Sequence, residues 1–104
     1  MSKPHKYRAV PTVVDGIRFA SKKEAKRYGE LKMLEKAGKI SDLMMQPEYP
    51  LHAGDKKLGV YRADFEYGED GWKVVEDVKG FKTPLYRWKA KHLKAQYGIT
   101  VKET

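Results

Sequence analysis

The chain has 104 residues, 40% of them hydrophobic, and its formal net charge is +8. A chain of this length accommodates one hydrophobic core and therefore one domain. It contains no cysteine, which excludes disulfides, thiolate zinc sites and cysteine nucleophiles. The positive charge favours a polyanionic partner, nucleic acid above all, although a basic protein without such a partner is the plain alternative. No apolar stretch approaches the roughly 18 residues of a membrane span, so we expect a cytoplasmic protein without a membrane partner.

A basic arm is predicted at the start of the chain. Residues 1–12 contain Lys3, Lys6 and Arg8 but no apolar periodicity, a pattern typical of a flexible tail. The arm can contact phosphate groups, or it can serve only to keep the protein in solution. We expect the remaining residues, 13–104, to form a single domain.

The first predicted helix begins after Ser21. Ser21 followed by Glu24 has the spacing of a capping box, helix-forming residues follow, and Gly38 provides the stop. With 3.6 residues per turn, Glu24 shares one stripe of this helix with Tyr28 and Leu31. We therefore expect the Glu24 side chain on the buried face.

Three strands are predicted next. Residues 40–51 include two prolines and predict an irregular strand at a sheet edge, followed by a turn over 52–57. Residues 60–67 predict a second strand, and residues 68–71 a hairpin turn into a third strand at 72–78. The second and third strands should be antiparallel neighbours.

A second helix is predicted from Thr83 as N-cap and Pro84 at the first helical position to a stop at Gly98, with a short last strand at 99–101. The order helix, three strands, helix, strand predicts an α/β or α+β domain of one sheet and two helices. The helix has an apolar arc, which we expect to pack, and a cationic arc opposite it. The apolar arc comprises Leu85, Tyr86, Leu93 and Tyr97, and the cationic arc comprises Arg87, Lys91 and Lys94.

Charged residues inside the predicted hairpin indicate a site. Strand alternation puts Asp77 and Lys79 on one face, and the hairpin can bring Asp64 beside Asp77. Two adjacent carboxylates repel each other unless a cation lies between them or one is protonated. Mg²⁺ or Mn²⁺ prefers such oxygen ligands, to which the main-chain carbonyl of Val78 and the carboxylate of Glu24 can be added.

Each of these residues also has a purely structural interpretation. Asp77 and Lys79 can form a solvated cross-strand ion pair, which by spacing alone is the commoner case. Glu24 can turn back to cap its own helix. Glu76 is a further acidic candidate, although alternation turns it to the other face unless a bulge intervenes.

The order of these residues along the chain resembles the PD-(D/E)XK nuclease superfamily, in particular its small phage-encoded members and Holliday junction resolvases. The elements of the resemblance are Glu24 on a helix, Asp64 on a strand and Asp77 two residues before Lys79, and it covers roughly residues 15–102. It implies a restriction-endonuclease-like domain with an αβββαβ core, whose mixed sheet is flanked by helices. It also implies that the acids bind Mg²⁺ or Mn²⁺ and that these four residues are catalytic.

The resemblance further implies an endonuclease that hydrolyses DNA phosphodiester bonds, acts on branched or structured DNA in phage recombination, works as a homodimer and needs no small-molecule cofactor. Lys79 would position or deprotonate the attacking water, or neutralise charge in the transition state. One departure is Ala63, which stands where the superfamily's name has a proline. The alternatives are a non-catalytic DNA-binding accessory protein with the same fold and an RNA-directed nuclease.

Eight cations are candidate phosphate contacts. If about six of them bind phosphates, the logarithm of the affinity should fall with the logarithm of salt concentration at a slope near −5. The eight are Lys22, Lys23, Lys26, Arg62, Lys82, Arg87, Lys91 and Lys94.

Overall fold

The computed structural model describes residues 10–78 and 82–104. Most of the predicted arm, residues 1–9, lies outside this range, and so does Lys79. None of the helices within the range is both long and apolar enough to cross a membrane. The elements in chain order are β1 (Thr12–Val14), β2 (Ile17–Phe19), α1 (Lys22–Lys36), β3 (Ser41–Met45), β4 (Glu48–Ala53), β5 (Lys56–Arg62), β6 (Phe65–Glu69), β7 (Trp72–Asp77), α2 (Pro84–Tyr97) and β8 (Lys102–Glu103).

The described strands belong to three sheets, so the expectation of a single sheet is wrong. The largest sheet has the order β3-β6-β7-β8, while β1 pairs with β2 and β4 pairs with β5. All pairs are antiparallel except β7 with β8, which is parallel. The largest sheet is therefore mixed, as expected, and the fold belongs to the α+β class with two helices in the described chain.

Helix α1 confirms the prediction made from its ends. The Ser21 side chain accepts a hydrogen bond from the Glu24 amide at 3.1 Å, and Gly38 has a φ of 78°, the left-handed conformation that ends helices. Glu24, Tyr28 and Leu31 are buried, as their common stripe predicted. The helix therefore presents a carboxylate to the interior near its first turn.

Helix α2 also begins and ends where predicted. The Thr83 side chain accepts a hydrogen bond from the Tyr86 amide at 3.0 Å, and Gly98 is left-handed. Its predicted apolar arc is only partly correct, because Leu93 is fully buried but Leu85 is 60% exposed. Leu85 lines a cavity between α2 and β5 instead of packing into the core.

Further corrections concern the two ends of the described chain. Tyr97, also in the predicted apolar arc, is 42% exposed at the end of α2. The last strand, expected at 99–101, is Lys102–Glu103, because the pairing with β7 begins only at Lys102 opposite Glu76. At the other end Thr12, assigned to the arm, already belongs to β1.

The hairpin β1–β2 was not predicted, although the sequence contains its signal. Asp15 and Gly16 both have positive φ, 53° and 75°, and they join two short strands as a two-residue turn. An Asp-Gly pair between apolar residues is the strongest local hairpin signal. The Asp15 carboxylate accepts a hydrogen bond from the Tyr28 hydroxyl at 2.9 Å, which attaches the hairpin to α1.

The strands predicted at 40–51 and 60–67 are each broken in two. β3 pairs with β6, and β4 pairs with β5, so the four pieces form one two-stranded ribbon that changes sheets midway. At the break the Gln46 amide donates to the Asp64 carbonyl at 2.9 Å, and the Ala63 amide donates to the Pro47 carbonyl at 3.1 Å. Asp64 therefore lies at this bend and not, as expected, inside a strand.

The hairpin β6–β7 confirms the expected antiparallel neighbours. Its pairing is regular from Phe65 opposite Glu76 to Glu69 opposite Trp72. The turn consists of Asp70 and Gly71, with φ of 54° and 82°. Positive φ at both positions is the type I′ geometry that matches strand twist.

Strand β7 separates two hydrophobic clusters. Val74 of β7 and Val78, directly after the strand, pack against the cluster between the sheet and α1, which contains Phe19, Ala25, Tyr28, Leu31, Ile40, Phe65 and Tyr67. Val75 belongs to the cluster on the side of α2, which also contains Tyr49, Leu51, Tyr61, Ala63 and Leu93. Consecutive residues of β7 thus face different layers, because side chains along a strand alternate with a period of two.

Glu76 is fully buried on the α1 side and is held by three side chains. Arg27 donates to its two oxygens at 2.6 and 3.0 Å, the Tyr67 hydroxyl at 2.7 Å and the Thr104 hydroxyl at 3.0 Å. Burial alone would raise the pKa of Glu76, but these hydrogen bonds and the charge of Arg27 outweigh it and lower that pKa. The ion pair therefore joins α1 to the centre of the sheet.

Replacing Arg27 with Met should destabilise the protein by about 3 kcal/mol, because a buried carboxylate would lose its counter-charge. Urea denaturation of the two proteins measures the change. Arg18→Met, at an exposed position on β2, is the matched control and should cost about 0.5 kcal/mol or less. Equal losses in the two variants would contradict the assignment of the ion pair.

Candidate functional site

The structure brings Asp64 and Asp77 together at the end of the β6–β7 hairpin. Phe65 pairs with Glu76, so the next positions outward are Asp64 and Asp77. The Asp64 amide donates to the Asp77 carboxylate at 2.9 Å, and the Val78 amide donates to the Asp64 carboxylate at 2.7 Å. Each acid is thus oriented by the backbone of the neighbouring chain segment.

Tyr61 makes a second contact to Asp77 from the α2 side. Its hydroxyl donates to the other carboxylate oxygen of the fully buried Asp77. Burial, followed by this hydrogen bond and the charge of Asp77, raises the pKa of Tyr61 far above its ordinary value. The hydroxyl therefore stays protonated, and it donates to Asp77 throughout the physiological pH range.

Sequence reasoning missed a pair of tyrosines beside Asp77. The rings of Tyr61 and Tyr86 have centroids 6.2 Å apart, and the Tyr86 hydroxyl donates to Glu103 at 2.9 Å. Burial and then the hydrogen bond to Glu103 raise the pKa of Tyr86, with a further contribution from the charge of Asp77. The only sequence signal was the alternation that makes Tyr61 an inward residue of β5.

Glu76, the further acidic candidate, faces away from this pair of aspartates. The β6–β7 pairing has no register shift, so alternation turns Glu76 to the α1 layer. Arg27 neutralises it there. Its contacts explain Glu76 as a structural residue.

Glu24 lies on α1, which packs on the layer opposite Asp77, and its side chain is 6% exposed. Its amide donates to the Ser21 side chain, which is one of the two hydrogen bonds of a capping box. Within residues 10–78 and 82–104, no three His, Cys, Asp or Glu side chains form a group that can hold a metal ion. Asp64 and Asp77 are brought together as a pair by their hydrogen bonds, and the contribution of Glu24 stays a prediction.

The chemistry of the paired residues fits a hard divalent cation. Asp64 and Asp77 provide carboxylate oxygens, and the main-chain carbonyl of Val78 follows directly in the chain. Mg²⁺ is commonly bound by one or two carboxylates and retains several waters, so it does not require a cage of three acids. Lys79, the fourth predicted member of the site, lies outside the described residues.

Six of the eight predicted phosphate contacts form no ion pair within the described part of the chain. Arg62 is paired with Glu48 at 2.9 Å, and Lys82 is paired with Glu103 at 2.7 Å. The other six, which lie on α1 and α2 and are all exposed, are Lys22, Lys23, Lys26, Arg87, Lys91 and Lys94.

The cations of α1 border the end of β7. Lys23 and Lys26 line a cleft of about 210 Å³ together with Val78 and Thr104. Val78 is also the residue whose amide binds Asp64. Positive charge on the α1 side therefore lies beside Val78, the residue that follows Asp77.

The fold and the charge define a small, basic α+β protein with a pair of oriented aspartates at one sheet end. The chain belongs to the family described as Protein of unknown function (DUF1064), whose model matches residues 4–104. Comparison with curated proteins and with solved structures gave no match.

Removing the Tyr61 hydroxyl should destabilise the protein, because Asp77 would lose a donor in the interior. We expect Tyr61→Phe to cost about 1–3 kcal/mol, which corresponds to a melting temperature roughly 5–15 °C lower. Tyr97→Phe is the matched control, since the Tyr97 hydroxyl bonds the carbonyl of Pro50 at an exposed position. Water can replace that donor, so the control should cost about 0.5 kcal/mol. Thermal melting with equal decreases for the two variants would refute the role assigned to Tyr61.

Proposed function

We propose that this protein is a metal-dependent endonuclease that hydrolyses DNA phosphodiester bonds, with Asp64 and Asp77 as the cation ligands. The observation that carries the proposal is the reciprocal pair of hydrogen bonds at the end of β7. They join the Asp64 amide to Asp77 and the Val78 amide to Asp64, at 2.9 and 2.7 Å. Two acids oriented side by side in this way are suited to share one cation.

Cation binding offers a physical reason for this arrangement. Side-by-side carboxylates repel each other, and Asp77 is fully buried, so the pair is costly unless a positive charge compensates it. The donors to Asp77 that come from Tyr61 and Asp64 are neutral groups. They orient the carboxylate, and a carboxylate held in one direction is suited to bind a cation.

The residues of the chain would divide the work as follows. Asp64, Asp77 and the Val78 carbonyl hold the cation, and Tyr61 keeps Asp77 in place. A bound Mg²⁺ or Mn²⁺ supplies Lewis-acid charge for hydrolysis of the phosphodiester bond. Lys79 would position or deprotonate the attacking water, or neutralise the negative charge that develops in the transition state.

The fold and the surface charge give further support. The elements α1, β3, β6, β7, α2 and β8 follow one another in the order helix, three strands, helix, strand, with the β4–β5 hairpin inserted. This is the order that the resemblance to the PD-(D/E)XK nucleases implies. Exposed cations on both helices suit a polyanionic substrate. The resemblance also suggests branched DNA and a homodimer, since symmetric cutting of two strands calls for two sites related by a two-fold axis.

Asp77→Asn should abolish metal-dependent cleavage while leaving the shape of the side chain unchanged. We expect wild-type protein to cut plasmid, linear duplex or four-way junction DNA with Mg²⁺ or Mn²⁺ but not with EDTA, and Asp64→Asn to lose activity similarly. The matched control is Asp70→Asn in the turn of the same hairpin. Asp70 is exposed and has a φ of 54°, which Asn accepts, so this variant should keep full activity.

The assay also distinguishes the alternatives. DNA binding without cleavage of any of the three substrates, in both wild type and Asp77→Asn, would refute the enzyme and leave a DNA-binding accessory protein. Cleavage of ribose strands only would favour an RNA-directed nuclease. Glu24→Ala, assayed for activity and for melting temperature, separates a ligand from a helix cap.

Binding should depend steeply on salt, because exposed cations release counterions from DNA. With about six contacts at about −0.9 each, the logarithm of the affinity should fall with the logarithm of salt concentration at a slope near −5. Joint replacement of Arg87, Lys91 and Lys94 by Gln should reduce the slope to roughly −3. Arg62→Gln is the control, because Glu48 already pairs with Arg62. An unchanged slope in the triple variant would show that α2 does not contact the phosphates.

A further inference from the structure

Helix α2 carries an exposed tryptophan next to its cations. Trp88 is 48% exposed, and the neighbouring Leu85 in the first turn is 60% exposed. Leu85, Trp88 and Lys91 are spaced three residues apart, so they are neighbours on the helix surface, each about 60° from the next. Apolar, aromatic and cationic groups therefore form one continuous strip.

The tryptophan ring is supported from one side. Its centroid lies 5.5 Å from that of His92, with the two planes inclined at 39°. The Nε2 atom of His92 donates to the carbonyl oxygen of His52 at 2.8 Å, which anchors the imidazole to the β4–β5 hairpin. Because Trp88 packs against this anchored imidazole, its ring should lose less conformational entropy than an unsupported one when a planar ligand stacks on it.

The charge of α2 indicates what would occupy this strip. Its 14 residues include Arg87, Lys89, Lys91 and Lys94 and neither Asp nor Glu. Lys89 donates to the carbonyl of Val60 at 2.9 Å, so its charge is held beside the strip. A surface that combines cations with an exposed aromatic ring is complementary to a phosphate backbone carrying an unstacked base.

The strip also continues toward the candidate site. Leu85 lines a cavity of about 540 Å³ whose other walls include Tyr61 and Tyr86. Tyr61 is the residue whose hydroxyl binds Asp77. A strand lying along α2 with a base on Trp88 would thus have its neighbouring nucleotide near the cavity that Tyr61 lines.

We propose that Trp88 stacks on an unpaired base of the DNA substrate and that the strip of Leu85, Trp88 and Lys91 makes the protein prefer single-stranded or branched DNA to continuous duplex. In a duplex every base is stacked and paired, so Trp88 finds no free face there. The inference rests on the proposed function for its substrate, but it concerns binding and does not require cleavage.

The two tryptophans of the chain allow a matched test. Trp72 is 77% exposed at the β6–β7 hairpin and lines a cavity with more acids than cations. The acids are Asp42, Glu66, Glu69 and Asp70, and the cations are Lys39 and Lys73. This acidic surrounding repels DNA. In EDTA, titration with oligodeoxythymidylate should quench the fluorescence of Trp72→Phe, which keeps Trp88, and leave that of Trp88→Phe unchanged.

Affinities measured under the same conditions should separate the two kinds of DNA. Trp88→Ala should weaken binding to the single strand roughly 5- to 100-fold. It should change binding to a blunt duplex by about twofold or less, and Trp72→Ala should change neither by more than that. Fluorescence quenching in Trp88→Phe, which retains only Trp72, would overturn the inference. So would an equal loss of affinity for single strand and duplex in Trp88→Ala. The Phe variants decide the case if Trp88→Ala does not fold.

The two proposals fail in different ways. If metal-dependent cleavage is lost in Asp77→Asn but replacing Trp88 does not change the affinity for DNA, the inference is overturned and the nuclease proposal stands. Stacking on Trp88 in EDTA without cleavage under any metal condition overturns the nuclease and leaves a protein that binds unpaired DNA.

Discussion

Two adjacent carboxylates, Glu76 and Asp77, are completely buried at the end of β7, and their partners come from α1, β5, β6 and the last described residue of the chain. A buried charge is tolerated only when it is hydrogen-bonded and matched by other groups. Because neighbouring strand residues face opposite sides, the two acids cannot share one set of partners. Arg27 of α1 and Thr104 bind Glu76 in one layer, and Tyr61 of β5 binds Asp77 in the other. Distant segments therefore meet at one strand end.

The two acids receive their described partners from different layers. Glu76 forms an ion pair with Arg27, and this pair holds α1 on the sheet. Asp77 is oriented by a tyrosine hydroxyl and by the amide of Asp64. Such neutral donors fix the direction of a carboxylate, and this agrees with the cation-binding role that we propose. Neighbouring positions of one strand would then serve stability and chemistry separately.

Both helices could be predicted almost to the residue because caps such as Ser21 and Thr83 act within one turn. The pairing of Asp64 with Asp77 was also predictable, since a short turn sets the register of a hairpin. The bend at Asp64 was not, because hydrogen bonds between distant segments cause it. Nor was the partner of Glu76, because Arg27 lies 49 positions away and no local pattern connects them. The role of Lys79 stays a prediction.

The two-residue turn of Asp70 and Gly71 has a consequence for the opposite end of its hairpin. Side chains alternate with a period of two, so a one-residue slip of β7 against β6 would turn every residue of β7 to the other face. Glu76 would then point toward Tyr61, and Asp77 would point toward Arg27. The length of this turn, set at one end of the hairpin, therefore determines at the other end which of two consecutive acids meets Arg27 and which meets Tyr61.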